Sequence, residues 1–106
     1  MAERFSRILV FFDLPTETRQ DRRVYTRFRK LLIKNGFLMM QESVYCKLVL
    51  HATAEQSVLT LLRRNRPPSG VVEILTITER QYSQIEYLVG EYQGDIIQTG
   101  ERLIVL

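Results

Sequence analysis

Asp13 is the first residue along the chain whose type and position could do chemistry. It ends an unbroken apolar run, Ile8 to Phe12, within the stretch RILVFFDLPTETRQDRR, and Leu14-Pro15 turns the chain just after it. A carboxylate at a strand end has two uses. It can accept N–H bonds from the turn that follows, or it can ligate a divalent cation. Phosphodiester hydrolysis calls for a metal held by two or more carboxylates. Near Asp13 the chain offers only Glu17, past the turn, and Glu42, at a strand junction. His51 is the only histidine and falls after a strand, a poor position for a general base. One chain is thus poorly equipped as a nuclease. A two-fold axis near Asp13 would change the count, because two copies of it could then hold one cation between them. Mg2+ suits such oxygen ligands.

The second candidate group is cationic. Residues 1–70 hold 13 Lys and Arg against 6 Asp and Glu, a net +7, whereas residues 71–106 carry a net −4. On a helical wheel over residues 19–34, Arg19, Lys30, Arg23, Lys34 and Arg27 fall within about 80° of one another. Val24, Tyr25, Phe28, Leu31 and Leu32 form the opposite, apolar side. Like charges at i,i+4 repel by a few tenths of a kcal/mol per pair. Such a stripe is a poor way to make a merely hydrated face. A helix of this length spans about 24 Å and can follow several phosphates of one strand. With no aromatic residue for base stacking, the stripe suits the backbone of a duplex better than splayed bases. Arg63, Arg64 and Arg66 either extend this footprint or answer the dipole at the end of a second helix.

The elements that must carry these residues can be read in order. Residues 7–13 form a strand buried on both faces, because the apolar run does not alternate. Thr18 with Asp21 three residues on marks a capping box. The first helix then runs from about Arg19 to Lys34 and ends at Asn35-Gly36. FLMMQ and SVYCKLVL are two strands joined near Gln41-Glu42, with Val44, Cys46, Leu48 and Leu50 on one face. A second helix over about Ala54–Asn65 carries Ala54, Val58, Leu61 and Leu62 on one stripe. RPPSG breaks the chain, and Val71–Thr78 is the next strand. In ERQYSQIEYLVG, Tyr82, Ile85, Leu88 and Val89 have helical spacing, and Arg102–Leu106 is a short last strand.

The order β-α-β-β-α-β predicts an α+β, ferredoxin-like sandwich: one domain over residues 1–106, with residues 79–106 as a C-terminal extension. Its two helices cover one sheet face. Ile8, Val10 and Phe12 take that side, which leaves Leu9 and Phe11 on an open apolar face that wants a partner. The expectation is a homodimer in which Leu9 and Phe11 are joined by Leu103, Ile104 and Val105 of the last strand. That strand either extends its own sheet or pairs across to the other subunit. The one cysteine, Cys46, excludes an internal disulfide and a cysteine-rich zinc site, and it fits a reduced, cytoplasmic location. The run Ile8–Phe12 is too short for a signal peptide or a membrane span.

FFDLP, then a basic helix, then NGFLMMQESVYCKL, then a late TIT strand resembles the small CRISPR-associated adaptation protein family, the second, non-integrase subunit of the spacer-acquisition complex. The resemblance covers essentially the whole chain in order. It implies a homodimer that sits between two dimers of the CRISPR-associated integrase and holds double-stranded DNA, prespacer and repeat, while the integrase makes the new bonds. It also implies a metal-dependent endonuclease with Asp13 as the Mg2+ ligand and catalytic residue. Another reading is a toxin-like, Mg2+-dependent endoribonuclease or RNA-binding domain on the same fold. Phe11 and Tyr45 could be offered for base stacking, but the aromatic signature of an RNA-recognition sheet is absent. A small-molecule substrate would not call for the cationic helix.

Overall fold

The computed structural model describes residues 5–91, 96–98 and 103–105. The elements are β1 (Ser6–Asp13), α1 (Arg19–Lys34), β2 (Leu38–Gln41), β3 (Val44–Val49), α2 (Ala52–Arg64), β4 (Val71–Thr78), α3 (Glu79–Tyr82), β5 (Ile96–Gln98) and β6 (Leu103–Val105). The first four strands form one antiparallel sheet in the order β2-β3-β1-β4. This is the α+β, ferredoxin-like plan that the element order predicts.

β1 lies in the middle because it is apolar on both faces. Val10 sits opposite Tyr45 of β3 on one side and Ile74 of β4 on the other. Ile8, Val10 and Phe12 point to the helix layer and are buried with Phe28 and Leu32 of α1 and Leu59 and Leu62 of α2. Burying each such side chain stabilises the fold by about 1.5–3 kcal/mol relative to exposure. Phe12 is the hub. Its ring meets Tyr25 and Phe28 edge-on at 5.8 and 5.4 Å and stacks on Tyr45 at 5.7 Å.

β3 turns out differently from its most obvious pattern. Tyr45 and Val49 enter the core, fully buried. The alternating set Val44, Cys46 and Leu48 lies on the other face, where Leu48 is exposed. β3 is apolar enough on both sides that alternation alone cannot assign the core side.

Three boundaries also move. α2 starts at Ala52, because His51 caps it: its Nδ1 accepts a hydrogen bond from the Ala54 N–H at 3.2 Å. The third helix is one turn, Glu79–Tyr82, and the chain beyond it is irregular although its apolar residues keep helical spacing. Leu88 is 87% and Val89 92% exposed, so no packing surface offsets the entropy of extending that helix. The last strand, expected over Arg102–Leu106, is Leu103–Val105. It pairs with Ile96–Gln98 in a separate two-stranded sheet and does not extend the main one. Arg102, Leu106 and the side chains of Leu103, Ile104 and Val105 lie outside the described residues, and with them the interface role expected of that strand.

Candidate nucleic-acid interface

The cationic stripe is set by how α1 begins. Thr18 Oγ1 accepts from the Asp21 N–H at 2.9 Å, and an Asp21 carboxylate oxygen accepts from the Thr18 N–H at 3.1 Å. This capping box starts the helix at Arg19 and engages its one acid. Asp21 is therefore committed to the cap, within the same first turn as Arg19 at the head of the stripe.

Seven cations lie on α1, and the structure divides them. Arg22 turns back to the loop after Asp13, donating from Nη1 to the carbonyls of Thr16 and Glu17 at 3.1 and 3.0 Å. Arg29 donates from Nε to the hydroxyl of Tyr45 at 3.1 Å, satisfying a phenol at the bottom of the core. Arg19, Arg23, Arg27, Lys30 and Lys34 are exposed and pair with no acid among the described residues. Four of these, Arg19, Arg23, Arg27 and Lys30, line one shallow open trough with Arg22 and Thr26. Lys34 stands in the last helical turn, where it also answers the helix dipole. The two cations flanking the stripe thus have structural partners, which only the fold reveals.

Asp13 belongs to a different part of the molecule. It ends β1 opposite Val71 of β4, is exposed, and shares the strand face of Arg7, Leu9 and Phe11, away from the helices. Gly70 fits tightly against this strand end. Its φ is +87°, and a Cβ there would stand 2.8 Å from the Asp13 carbonyl oxygen. The RPPSG turn therefore needs glycine at its last position for both conformation and space. Among the described residues no group of three or more His, Cys, Asp and Glu side chains comes together. The described donors of one chain do not fit a divalent cation by themselves.

The face beside Asp13 is less open than its sequence suggests. α3 lays Tyr82 over it, and Leu9, Cys46 and Tyr82 form a small buried cluster with Phe11, Met40 and Ile77 at its margin. Leu9, expected at a subunit interface, is 7% exposed within the chain itself, while Phe11 stays half-buried. The keystone is Arg7, which the sequence reading missed. It is 3% exposed and donates to both Glu79 carboxylate oxygens at 2.7 and 2.9 Å. Its guanidinium lies 4.0 Å from the centre of the Tyr82 ring. The only sequence signal for it is a cation opening an otherwise apolar strand. At the sheet edge, Val71 and Leu75 of β4 remain about half exposed.

The strand order and helix layer define a small ferredoxin-like α+β domain with a basic helix face. Residues 6–85 match the family described as CRISPR associated protein Cas2. A protein of Treponema denticola named CRISPR-associated endoribonuclease Cas2 is 50% identical over 100 residues, covering 94% of this chain and 99% of its own. A protein of the same name from Lacticaseibacillus rhamnosus is 41% identical over 104 residues, covering 94% and 99%. Another from Streptococcus mutans UA159 is 40% identical over 100 residues, covering 94% and 92%. The chain belongs to the Cas2 family of CRISPR-associated proteins. No helix among the described residues is long and apolar enough to cross a membrane.

Proposed function

We propose that the protein acts in CRISPR adaptation as a dimeric scaffold. It holds duplex prespacer DNA along the outer face of α1 and bridges dimers of the CRISPR-associated integrase in the cytoplasm. The observation that carries this reading is the acid-free row of exposed cations, Arg19, Arg23, Arg27, Lys30 and Lys34, on one rigid helix. Each phosphate neutralised by such a row releases counterions, so binding is strong, indifferent to sequence and steeply salt-dependent. Arg23→Ala/Arg27→Ala/Lys30→Ala should lower the slope of log affinity against log salt by about 2–3 for any duplex sequence. An unchanged slope would reduce the stripe to a hydrated face. Bridging is checked by mixing the chain with a candidate integrase. The pair, and neither component alone, should insert short duplexes into a repeat array.

The endoribonuclease names of the relatives favour a second reading, cleavage of RNA, for which the resemblance adds a metal and DNA as a further substrate. In this reading two copies of Asp13, one per subunit, would hold a Mg2+ ion, which would supply the Lewis acid for phosphodiester cleavage. The exposure of Asp13 at the end of a strand supports it, and the sparse donors among the described residues of one chain make a second copy of Asp13 part of the reading. Asp13→Asn keeps the size and removes the charge. Metal-dependent cleavage persisting at full rate in this variant would assign the activity elsewhere.

A further inference from the structure

We propose that the C-terminal end of α2 is a second arm of the phosphate-binding surface, joined to the α1 stripe at Arg27, and that it favours a duplex over a single strand. This deepens the duplex-binding reading above and rests on it.

Arg27 lines two depressions at once. One is the open trough along α1 with Arg19, Arg23 and Lys30. The other is a cleft of about 100 Å3 between α1 and the segment that follows α2, floored by Val24, Phe28 and Leu31 and walled by Arg66 and Pro67. The cationic surface is therefore continuous from α1 to the end of α2. Arg63 and Arg64, in the last turn of α2, are exposed and pair with no acid among the described residues. Arg66 donates from Nη1 to the Arg63 carbonyl at 2.9 Å. A guanidinium carries five N–H donors, so this one bond leaves most of the fork for a ligand.

Helix-dipole complementation explains only part of this cluster. α1 ends with one cation in its last turn, Lys34, and α2 ends with two, with a third just beyond the capping Asn65. The acid of α2, Glu55, lies in its first turn, at the far end from the arginines. Three neighbouring guanidiniums repel one another, and a polyanion removes that repulsion. A single helix follows one line of phosphates. An arm on a separate helix reaches a second line, which a duplex provides and an extended single strand does not.

The test uses the full chain, a short blunt duplex and one of its strands, with affinity read by fluorescence anisotropy across a salt series. For Arg63→Gln/Arg64→Gln/Arg66→Gln the duplex slope should fall by about 2–3, while the single-strand slope falls by less than about 1. Duplex affinity at about 0.1 M salt should weaken roughly 10- to 100-fold. Arg63→Lys/Arg64→Lys should retain the slope, since a lysine serves a phosphate as a point charge. Arg63→Gln/Arg64→Gln keeps the bond from Arg66 to the Arg63 carbonyl and guards against a folding defect. It should lower the duplex slope by about 1–2. An unchanged duplex slope in both glutamine variants, beside a lowered one in Arg23→Ala/Arg27→Ala/Lys30→Ala, overturns the second arm and leaves the duplex reading standing. Equal losses on duplex and single strand overturn it too. An unchanged slope in the α1 variant overturns the reading on which both rest.

Discussion

On the open face of the sheet, Arg7 is buried, grips Glu79 with two hydrogen bonds and faces the ring of Tyr82. On the outer face of α1, Arg19, Arg23 and Arg27 stand in water and pair with no acid among the described residues. The same side chain is thus spent in opposite ways. Arg7 is desolvated, and its charge is affordable only because a carboxylate and a π-face replace the lost water. The α1 arginines keep their hydration and repel their neighbours, which leaves their charge available to a ligand. Arg22 and Arg29 fall between, each tied to one feature of the fold, the loop after Asp13 and the Tyr45 hydroxyl. Within α1, a place on or beside the outer stripe therefore sorts the arginines that pair with no acid from those tied to the fold.

Substitutions should split along the same line. The largest stability loss is expected for Glu79→Ala, which strands a buried guanidinium. The cost should be about 2–3 kcal/mol, below the range for breaking a fully buried pair, because Glu79 itself is 41% exposed. Arg7→Met should cost only about 1 kcal/mol, since the remaining Glu79 can turn to water. Urea midpoints at constant m distinguish the two. If Arg7→Met were the worse, the buried charge would not govern the site. Tyr45→Phe comes next. It removes the acceptor of Arg29 and should cost about 1 kcal/mol. The stripe variant Arg23→Ala/Arg27→Ala/Lys30→Ala should change stability by no more than about 0.5 kcal/mol while it weakens duplex binding, because it removes repulsion rather than contacts. The smallest effect is expected for Leu88→Ser/Val89→Ser in the monomeric chain, within about 0.5 kcal/mol. A larger loss there would mean that these exposed residues are covered.

Much of the fold could be read in advance where local chemistry decides it. Thr18 and Asp21 announce the start of α1, Asn35-Gly36 its end, and Val71–Thr78 is bounded by a Pro-Pro-Ser-Gly turn. Each signal lies within a few residues of the structure it sets. The side of β3 that faces the core could not be read, because both its faces are apolar and only pairing with β1 chooses between them. The short third helix stops at Tyr82 for a related reason. Helical spacing in Ile85, Leu88 and Val89 says which side would be buried, but no surface is there to bury it.

The candidate site divides in the same way. The residues of the α1 stripe follow from the sequence alone, since 3.6 residues per turn brings Arg19, Arg23, Arg27, Lys30 and Lys34 to one side whatever the helix packs on. The end of β1 at Asp13 is equally local. Tertiary structure alone decided that Arg29 reaches the Tyr45 hydroxyl and that Arg7 finds Glu79, 72 residues away. It alone also brought Arg66 to the cleft beside Arg27. Helical periodicity is a property of neighbours in the chain. Pairing across the sheet and between helices depends on which distant segments the core brings together, and no local pattern encodes that.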